Sequence, residues 1–288
     1  MDVAVDGVRV GHWTDEAART GVTVVELPPD AVASYEARGG APASRELELL
    51  DPLKSVRGPD AVVLSGGSAF GLAAADGVMS HYESLGRGVP TPGGRVPIVV
   101  GLSLFDLAVG RADVRPGPAE GLVAARATTG EQVLHGPVGA GTGAMVGQWR
   151  GEGRKRGGLG YATHRHGEVV VAALVAVNAF GDVDHGGEVS FDSLAVLDGP
   201  PGIDTGADHG RHTTIGVVVT NAALDKTECR VVAQGGHDGL ARALIPPHTR
   251  VDGDALVAVA TGQVSASVDV VRLLALACVA DAVRSVDS

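Results

Sequence analysis

Aromatic side chains are scarce in this sequence, at 3% of 288 residues, while glycine contributes 43. A chain built this way cannot fill its core with rings. Its layers must pack on Val, Leu and Ala and on close backbone approaches at glycine. A hydrophobic share of 44% is still ample for a sizeable core at this length. Only two cysteines are present, Cys229 and Cys278, both in helix-like segments without metal-ligand spacing. That excludes a disulfide framework, and the pair reads as core residues of a cytoplasmic protein. Long apolar runs are missing too. The stretch from Val169 to Val177 is strand-sized and far short of a membrane span. The opening Met1-Asp2-Val3-Ala4-Val5-Asp6 is acidic rather than basic and then apolar, so it does not read as a signal peptide.

Positive charge is in deficit. A formal net charge of -11 argues against nucleic acid or an anionic membrane as a partner. The one basic run, Arg150 to Arg156, is short and glycine-interrupted. It reads as a solvated loop rather than a phosphate track, which does not exclude a local anionic ligand. His164, His166 and His185 lack a carboxylate or cysteine at ligand spacing and read as exposed loop residues, and the chemistry below calls for no metal or organic cofactor.

Strand patterning is expected near residues 3–10, 22–27, 61–65, 96–101, 169–178, 214–220 and 255–261, and helices near 70–85, 117–127, 226–244 and 265–285. Strands such as Val169-Val170-Val171-Ala172-Ala173-Leu174-Val175 are apolar on both faces and need cover on two sides. The order is not a clean β-α alternation, so an α+β layered fold is expected rather than a doubly wound sheet. The least regular region, Gly181 to Arg211, reads as a long exposed loop that delivers the chain to the next feature.

That feature is His212-Thr213-Thr214-Ile215-Gly216-Val217, where a polar loop ends and an apolar strand begins. A β-branched pair can simply start a strand. It can also be a latent N-terminus: cutting the His212/Thr213 bond would give Thr213 a hydroxyl nucleophile and an α-amino base of pKa roughly 7.7 to 8. Asp252 and Asp254, two apart at the mouth of a strand, could orient the hydroxyl and hold the ammonium form, or form a plain Asp-Gly-Asp turn. Asn178 at a strand end could donate to an oxyanion. Gly66, Gly67 and Ser68 lie between a strand and a helix, where free amides could bind an anion. Ser68 itself reads as a helix cap, since Phe70 breaks Gly-x-Ser-x-Gly. The run from Gly139 to Gly147 is only a faint dinucleotide signal, with Ala144 at the third glycine.

Together these residues resemble the DmpA-type aminopeptidase family of L-aminopeptidase/D-esterases, β-peptidyl aminopeptidases and nylon-oligomer hydrolases. The likeness spans nearly the whole chain. It rests on Gly39-Gly40-Ala41-Pro42 with Asp51-Pro52, Gly66-Gly67-Ser68-Ala69-Phe70-Gly71-Leu72 with Ala75-Asp76-Gly77, Gly93 to Ile98, Gly157-Gly158-Leu159-Gly160, and the Thr213 run. The resemblance implies one four-layer αββα sandwich over 1–288, N-terminal-nucleophile-like and akin to ornithine acetyltransferases. It implies self-cleavage into 1–212 and 213–288, with the processed protomers assembled as a homo-oligomer such as a tetramer, acting on small peptides or amides. Thr213 matches the nucleophile, Asp252 and Asp254 the neighbouring acids, and Asn178 the oxyanion asparagine. Three positions depart. His212 stands where relatives carry Asn or Gly, although His, like Asn, is enriched at positive φ. The active-site lysine of some relatives falls among Gln148, Lys155 and Arg156. A pocket tyrosine aligns with Phe105. Two rival readings share this pattern, a processed-threonine acyltransferase that passes the acyl group to an amine, and an unprocessed binding relative.

Overall fold

The computed structural model describes residues 3–186 and 212–287. In chain order the strands are β1 (Arg9–Asp15), β2 (Thr20–Glu26), β3 (Val32–Ala37), β4 (Ser44–Arg45), β5 (Ala61–Ser65), β6 (Val89–Thr91), β7 (Gly94–Val96), β8 (Val99–Ser103), β9 (Met145–Val146), β10 (Lys155–Arg156), β11 (Gly158–His166), β12 (Val169–Asn178), β13 (Asp182–Val183), β14 (Thr213–Ala222), β15 (Leu244–Ile245) and β16 (Ala255–Val264). The helices are α1 (Ala74–Ser84), α2 (Pro118–Arg126), α3 (Lys226–Ala243) and α4 (Val268–Arg284). Ten of these strands form two five-stranded sheets, ordered β1-β2-β5-β8-β4 and β11-β12-β14-β16-β3. Both are mixed, with β5–β8 and β14–β16 parallel and the other neighbours antiparallel.

The period-2 geometry of strands sorts the apolar residues into three layers. On β12, Val170, Ala172, Leu174 and Ala176 enter a central core with Val62, Leu64, Val100 and Leu102 of the other sheet. Their neighbours Val171, Ala173, Val175 and Val177 face the opposite way, against Val232 and Leu240 of α3 and Val279 of α4. Val22, Val24 and Val63 of the first sheet pack on Val78 and Tyr82 of α1 and Ala124 of α2. Helix, sheet, sheet, helix is therefore the observed order, as the resemblance implies.

With aromatics scarce, glycine provides close approach between packed elements. A Cβ on Gly77 of α1 would lie 1.8 Å from the Pro118 carbonyl oxygen, and one on Gly121 of α2 1.9 Å from that of Ala74. The two helices thus touch backbone to backbone.

The structure differs from the expected elements in particular places. Residues 3–8 form a turn rather than a strand, with Gly7 at φ 82°, although Val5 and Val8 still enter the central core. Strands β3 and β11 were not anticipated, and His164, expected in a loop, lies on β11 paired with Asp281 at 2.8 Å. Of the expected loop from 181 to 211, Asp182–Val183 is a strand, and 187–211 lies outside the described residues. Gly139 to Gly141 form a buried turn whose Gly139 and Ala140 amides donate to Thr14 and Thr23. Among the described residues no helix is long and apolar enough to cross a membrane.

In an exposed helix interior, Gly→Ala stabilises by roughly 1 kcal/mol. Gly77→Ala is expected to do the reverse, lowering stability by about 1 to 3 kcal/mol as α1 and α2 are forced apart. Urea unfolding measures it, and a raised midpoint would contradict the backbone contact.

Candidate active site

The site lies at one end of the cleft between the sheets. On β14, Ile215, Val217 and Val219 face the central core, so Thr213, of the same parity, points into it. Antiparallel pairing sets Asn178 of β12 directly beside Thr213. Asn178 shares the parity of the core-facing β12 residues, so both side chains stand at the mouth of the same apolar layer. Each is buried, at 0% and 3% exposure, which makes unsatisfied polar atoms costly there.

Backbone groups fix the orientation of the Asn178 amide. Its Oδ1 accepts from the Met145 N–H and from Gln148 Nε2, each at 3.0 Å, and its Nδ2 donates to the Phe105 carbonyl at 2.9 Å. A reversed amide would face donor to donor. Gln148 and Phe105 are thereby brought to the site, Gln148 by its side chain and Phe105 by its backbone. Lys155 and Arg156 lie on β10, exposed.

The Thr213 hydroxyl donates to the carbonyl oxygen of His212, the residue before it. The same oxygen receives the N–H of Gly253 at 2.9 Å. Gly253 is a residue that sequence reasoning passed over, though it stands between the two singled-out aspartates. A Cβ there would come within 2.8 Å of Thr213 Oγ1, so glycine lets the loop close on the hydroxyl. The His212 ring packs on Phe180, with centroids 5.1 Å apart. Its φ angle involves residue 211 and lies outside the described residues.

In the uncut chain neither Asp252 nor Asp254 bonds the Thr213 hydroxyl, which donates to the His212 carbonyl. Asp254 Oδ1 accepts the Thr214 N–H at 2.7 Å, and its Oδ2 accepts His248 N at 3.1 Å and contacts His248 Nδ1 at 2.8 Å. Asp252 Oδ1 accepts the Phe180 N–H at 3.1 Å, while Oδ2 accepts from Thr249 through both its N–H and its hydroxyl. The carboxylates clamp the backbone on both sides of the threonine instead. Gly39 and Gly40 pack against this loop, with the Ala41 N–H on the Asp252 carbonyl at 2.8 Å.

The opposite sheet supplies the turn after β5, and here the expected free amides are absent. Gly66 N–H donates to Gly21 O, Gly67 N–H to Asp106 Oδ1 and Ser68 N–H to Leu104 O. Nor does the Ser68 side chain cap the following turn; Ser68 sits in left-handed backbone at φ 55°. The organiser is Asp106, buried beside Phe105 and holding Thr20 Oγ1 at 2.7 Å. Burial raises its carboxyl above the usual range. A Cβ on Gly66 would fall 1.9 Å from its Oδ2, so the glycine pair is what Asp106 requires. Sequence reasoning missed Asp106, since one carboxylate in an apolar stretch carries no spacing signal.

Burial first, and the Asp254 charge second, push the Asp252 carboxyl up to about 7, against the lowering effect of its hydrogen bonds. An acid raised on folding keeps its proton where the unfolded chain has lost it. Its stabilising contribution is therefore complete below the ordinary range near 4 and is lost as pH rises toward about 7. Asp252→Asn is expected to flatten that decline. Denaturant titrations between about pH 4 and 7 measure it, and an unchanged slope would contradict the burial account.

Known proteins resemble this chain in sequence and in fold. The model of peptidase family S58 matches residues 2–286. An uncharacterised aminopeptidase of Mycobacterium leprae is 42% identical over 91% of this chain and 79% of its own length. Among solved structures, a Burkholderia sp. β-aminopeptidase superposes with a TM-score of 0.74 at 21% identity, covering 97% of this chain and 83% of its own. The L-aminopeptidase D-Ala-esterase/amidase of Ochrobactrum anthropi, described as a variant of the Ntn hydrolase fold, gives 0.70 at 18%, covering 98% and 84%. The chain belongs to peptidase family S58, and it is a hydrolase of peptide or amide bonds with the layered fold of the DmpA-type aminopeptidases.

Proposed function

We propose that this hydrolase is an aminopeptidase or amidase that cuts its own chain between His212 and Thr213 and then works through an acyl-enzyme on Thr213. One observation carries the reading: the Thr213 hydroxyl lies against the carbonyl of the peptide bond that precedes it, and Gly253 N–H holds that carbonyl oxygen at 2.9 Å. Nucleophile, electrophile and oxyanion donor are in one place before any substrate arrives.

In processing, Thr213 Oγ1 bonds to the His212 carbonyl carbon, and the developing oxyanion is stabilised by Gly253 N–H. The C–N bond breaks, its electron pair staying on the Thr213 nitrogen, which takes up the proton that the hydroxyl gave up. Water then hydrolyses the resulting ester, giving a carboxylate on His212 and restoring the hydroxyl. The freed α-amine, with a reference pKa of roughly 7.7 to 8, is a competent base near neutrality. In turnover it takes the hydroxyl proton as Oγ1 attacks the substrate carbonyl, and passes it to the departing amine. Water repeats the sequence and releases the acid.

Asn178, with its amide oriented by Met145, Gln148 and Phe105, donates to the substrate oxyanion. Asp254 on the Thr214 N–H and Asp252 on the Phe180 N–H hold the new terminus against the loop. His212 replaces the Asn or Gly of other members without removing any group these steps use. Small peptides or amides with a free amino end, α- or β-linked, fit this chemistry, and a homo-oligomer of processed protomers is the assembly we infer.

A panel of aminoacyl amides of both hands, β-amino acid amides and short amide oligomers tests it, with amine acceptors added to detect acyl transfer. Thr213→Ala is expected to abolish turnover. Asn178→Ala is expected to lower kcat on the order of 100-fold or more with a small effect on KM. Full activity in Thr213→Ala, or transfer exceeding hydrolysis, would overturn the assignment.

A further inference from the structure

Arg19 is an unusual cation. It sits in left-handed backbone at φ 58° just before β2, half-buried, and its Nε is buried without a hydrogen-bond partner. Its Nη2 rests 3.9 Å from Met145 Sδ, a weak acceptor that cannot neutralise it. Across the β9–β10 ladder, Arg156 stands directly opposite Met145. Met145 is also the residue whose N–H clamps Asn178 Oδ1. Arg154, just before β10, is near enough for its charge to act on Arg19 as well. None of the three guanidinium groups pairs with a carboxylate among the described residues. The nearby Asp182 is already engaged by Arg150 at 2.8 and 2.9 Å and by Trp149 at 3.0 Å.

Three like charges held together, one of them half-buried, repel one another and pay for desolvation, with no carboxylate among the described residues paired to them. Burial, then Arg156 and Arg154, accordingly lower the Arg19 pKa from its ordinary value. In a chain with a surplus of acids, such a group makes physical sense if an anion completes it. Guanidinium forks match the planar geometry of a carboxylate.

We infer that Arg19, Arg154 and Arg156 form a carboxylate subsite beside the Asn178 clamp, taking the free carboxylate on the leaving-group side of a peptide substrate. The inference rests on the aminopeptidase reading for the substrate's orientation, and it deepens that reading by naming a preferred substrate class: short peptides ending in a free carboxylate, in preference to their amides. In such a peptide the carboxylate is only a few bonds from the scissile carbonyl, which suits a cation cluster adjoining the residue that holds Asn178.

Two measurements test it. In the first, kcat/KM for L-Ala-L-Ala is divided by that for L-Ala-L-Ala amide. The ratio is expected to exceed about tenfold in the wild type and to fall by at least about tenfold in Arg19→Gln and Arg156→Gln, with partial retention in Arg19→Lys. The second is calorimetric binding of N-acetylglycine and of its amide to the same proteins, which needs no turnover. The acid alone should bind the wild type, and binding should weaken at least about tenfold in both glutamine variants. Arg156 is exposed, so its variant guards against misfolding at Arg19. Equal binding of acid and amide, or acid binding unaffected in both variants, would overturn the subsite. Charge-dependent binding with no turnover of either dipeptide would leave the subsite standing and count against the aminopeptidase reading instead.

Discussion

The register of β14 between β12 and β16 is the constraint on which the rest of the site depends. Antiparallel pairing puts Thr213 beside Asn178, and parallel pairing on the other flank brings the Asp252-Gly253-Asp254 loop to the same peptide. Side chains alternate with period two, so a slip of one residue would turn Thr213 away from the inter-sheet cleft and put Thr214 there instead. The apolar alternation of Ile215, Val217 and Val219 against Val218 prevents that slip, because each set already fills a different core. Burial of ordinary valines thus sets the position of the Thr213 hydroxyl.

Around that strand the protein accepts costly polar burial. Asp252, Asp254, Asp106 and Asn178 are all nearly inaccessible to water. Each is compensated by hydrogen bonds, mostly from backbone amides, which supply donors without adding charge. The compensation is incomplete where two carboxylates are neighbours, and Asp252 takes up the difference by holding its proton more tightly. Asp106 plays the matching part on the other sheet. It gathers Thr20 and Gly67, and the adjoining Phe105 carbonyl reaches across the cleft to Asn178. The two sheets are tied at their mouth by polar contacts and along their length by valine and leucine.

Much of this was legible in the sequence for definite reasons. Strands β5 and β12 announce themselves as short continuous apolar runs, and the helices α3 and α4 as longer segments opened by the caps Asp225 and Ser267. The two-faced apolar run of β12 required cover on both sides, which is the layered architecture in miniature. Thr213, Asn178 and the Asp-Gly-Asp loop were found as a constellation that resembles a known family. Strands β3 and β11 were not found, since Ser34 and Glu36, and the polar half of β11, dilute the alternation. The Gly66-Gly67-Ser68 turn was found for the wrong reason. Its glycines suggested open amides, whereas a buried Asp106, 39 residues beyond Gly67 in sequence, had already claimed the turn. Met145 acts through its backbone N–H, which every non-proline residue possesses, so residue type gave no signal, while Gly253 read as the middle of a plain Asp-Gly-Asp turn.

The central claim is that the peptide before Thr213 is poised to be cut by its own hydroxyl, and intact mass of the purified chain tests it most directly. Incubated wild-type protein should resolve into two fragments, one ending at His212 and one beginning at Thr213, with Thr213→Ala remaining at the full 29.0 kDa. A wild-type chain that persists uncut at 29.0 kDa, or a Thr213→Ala chain cleaved at the same bond, would contradict the account.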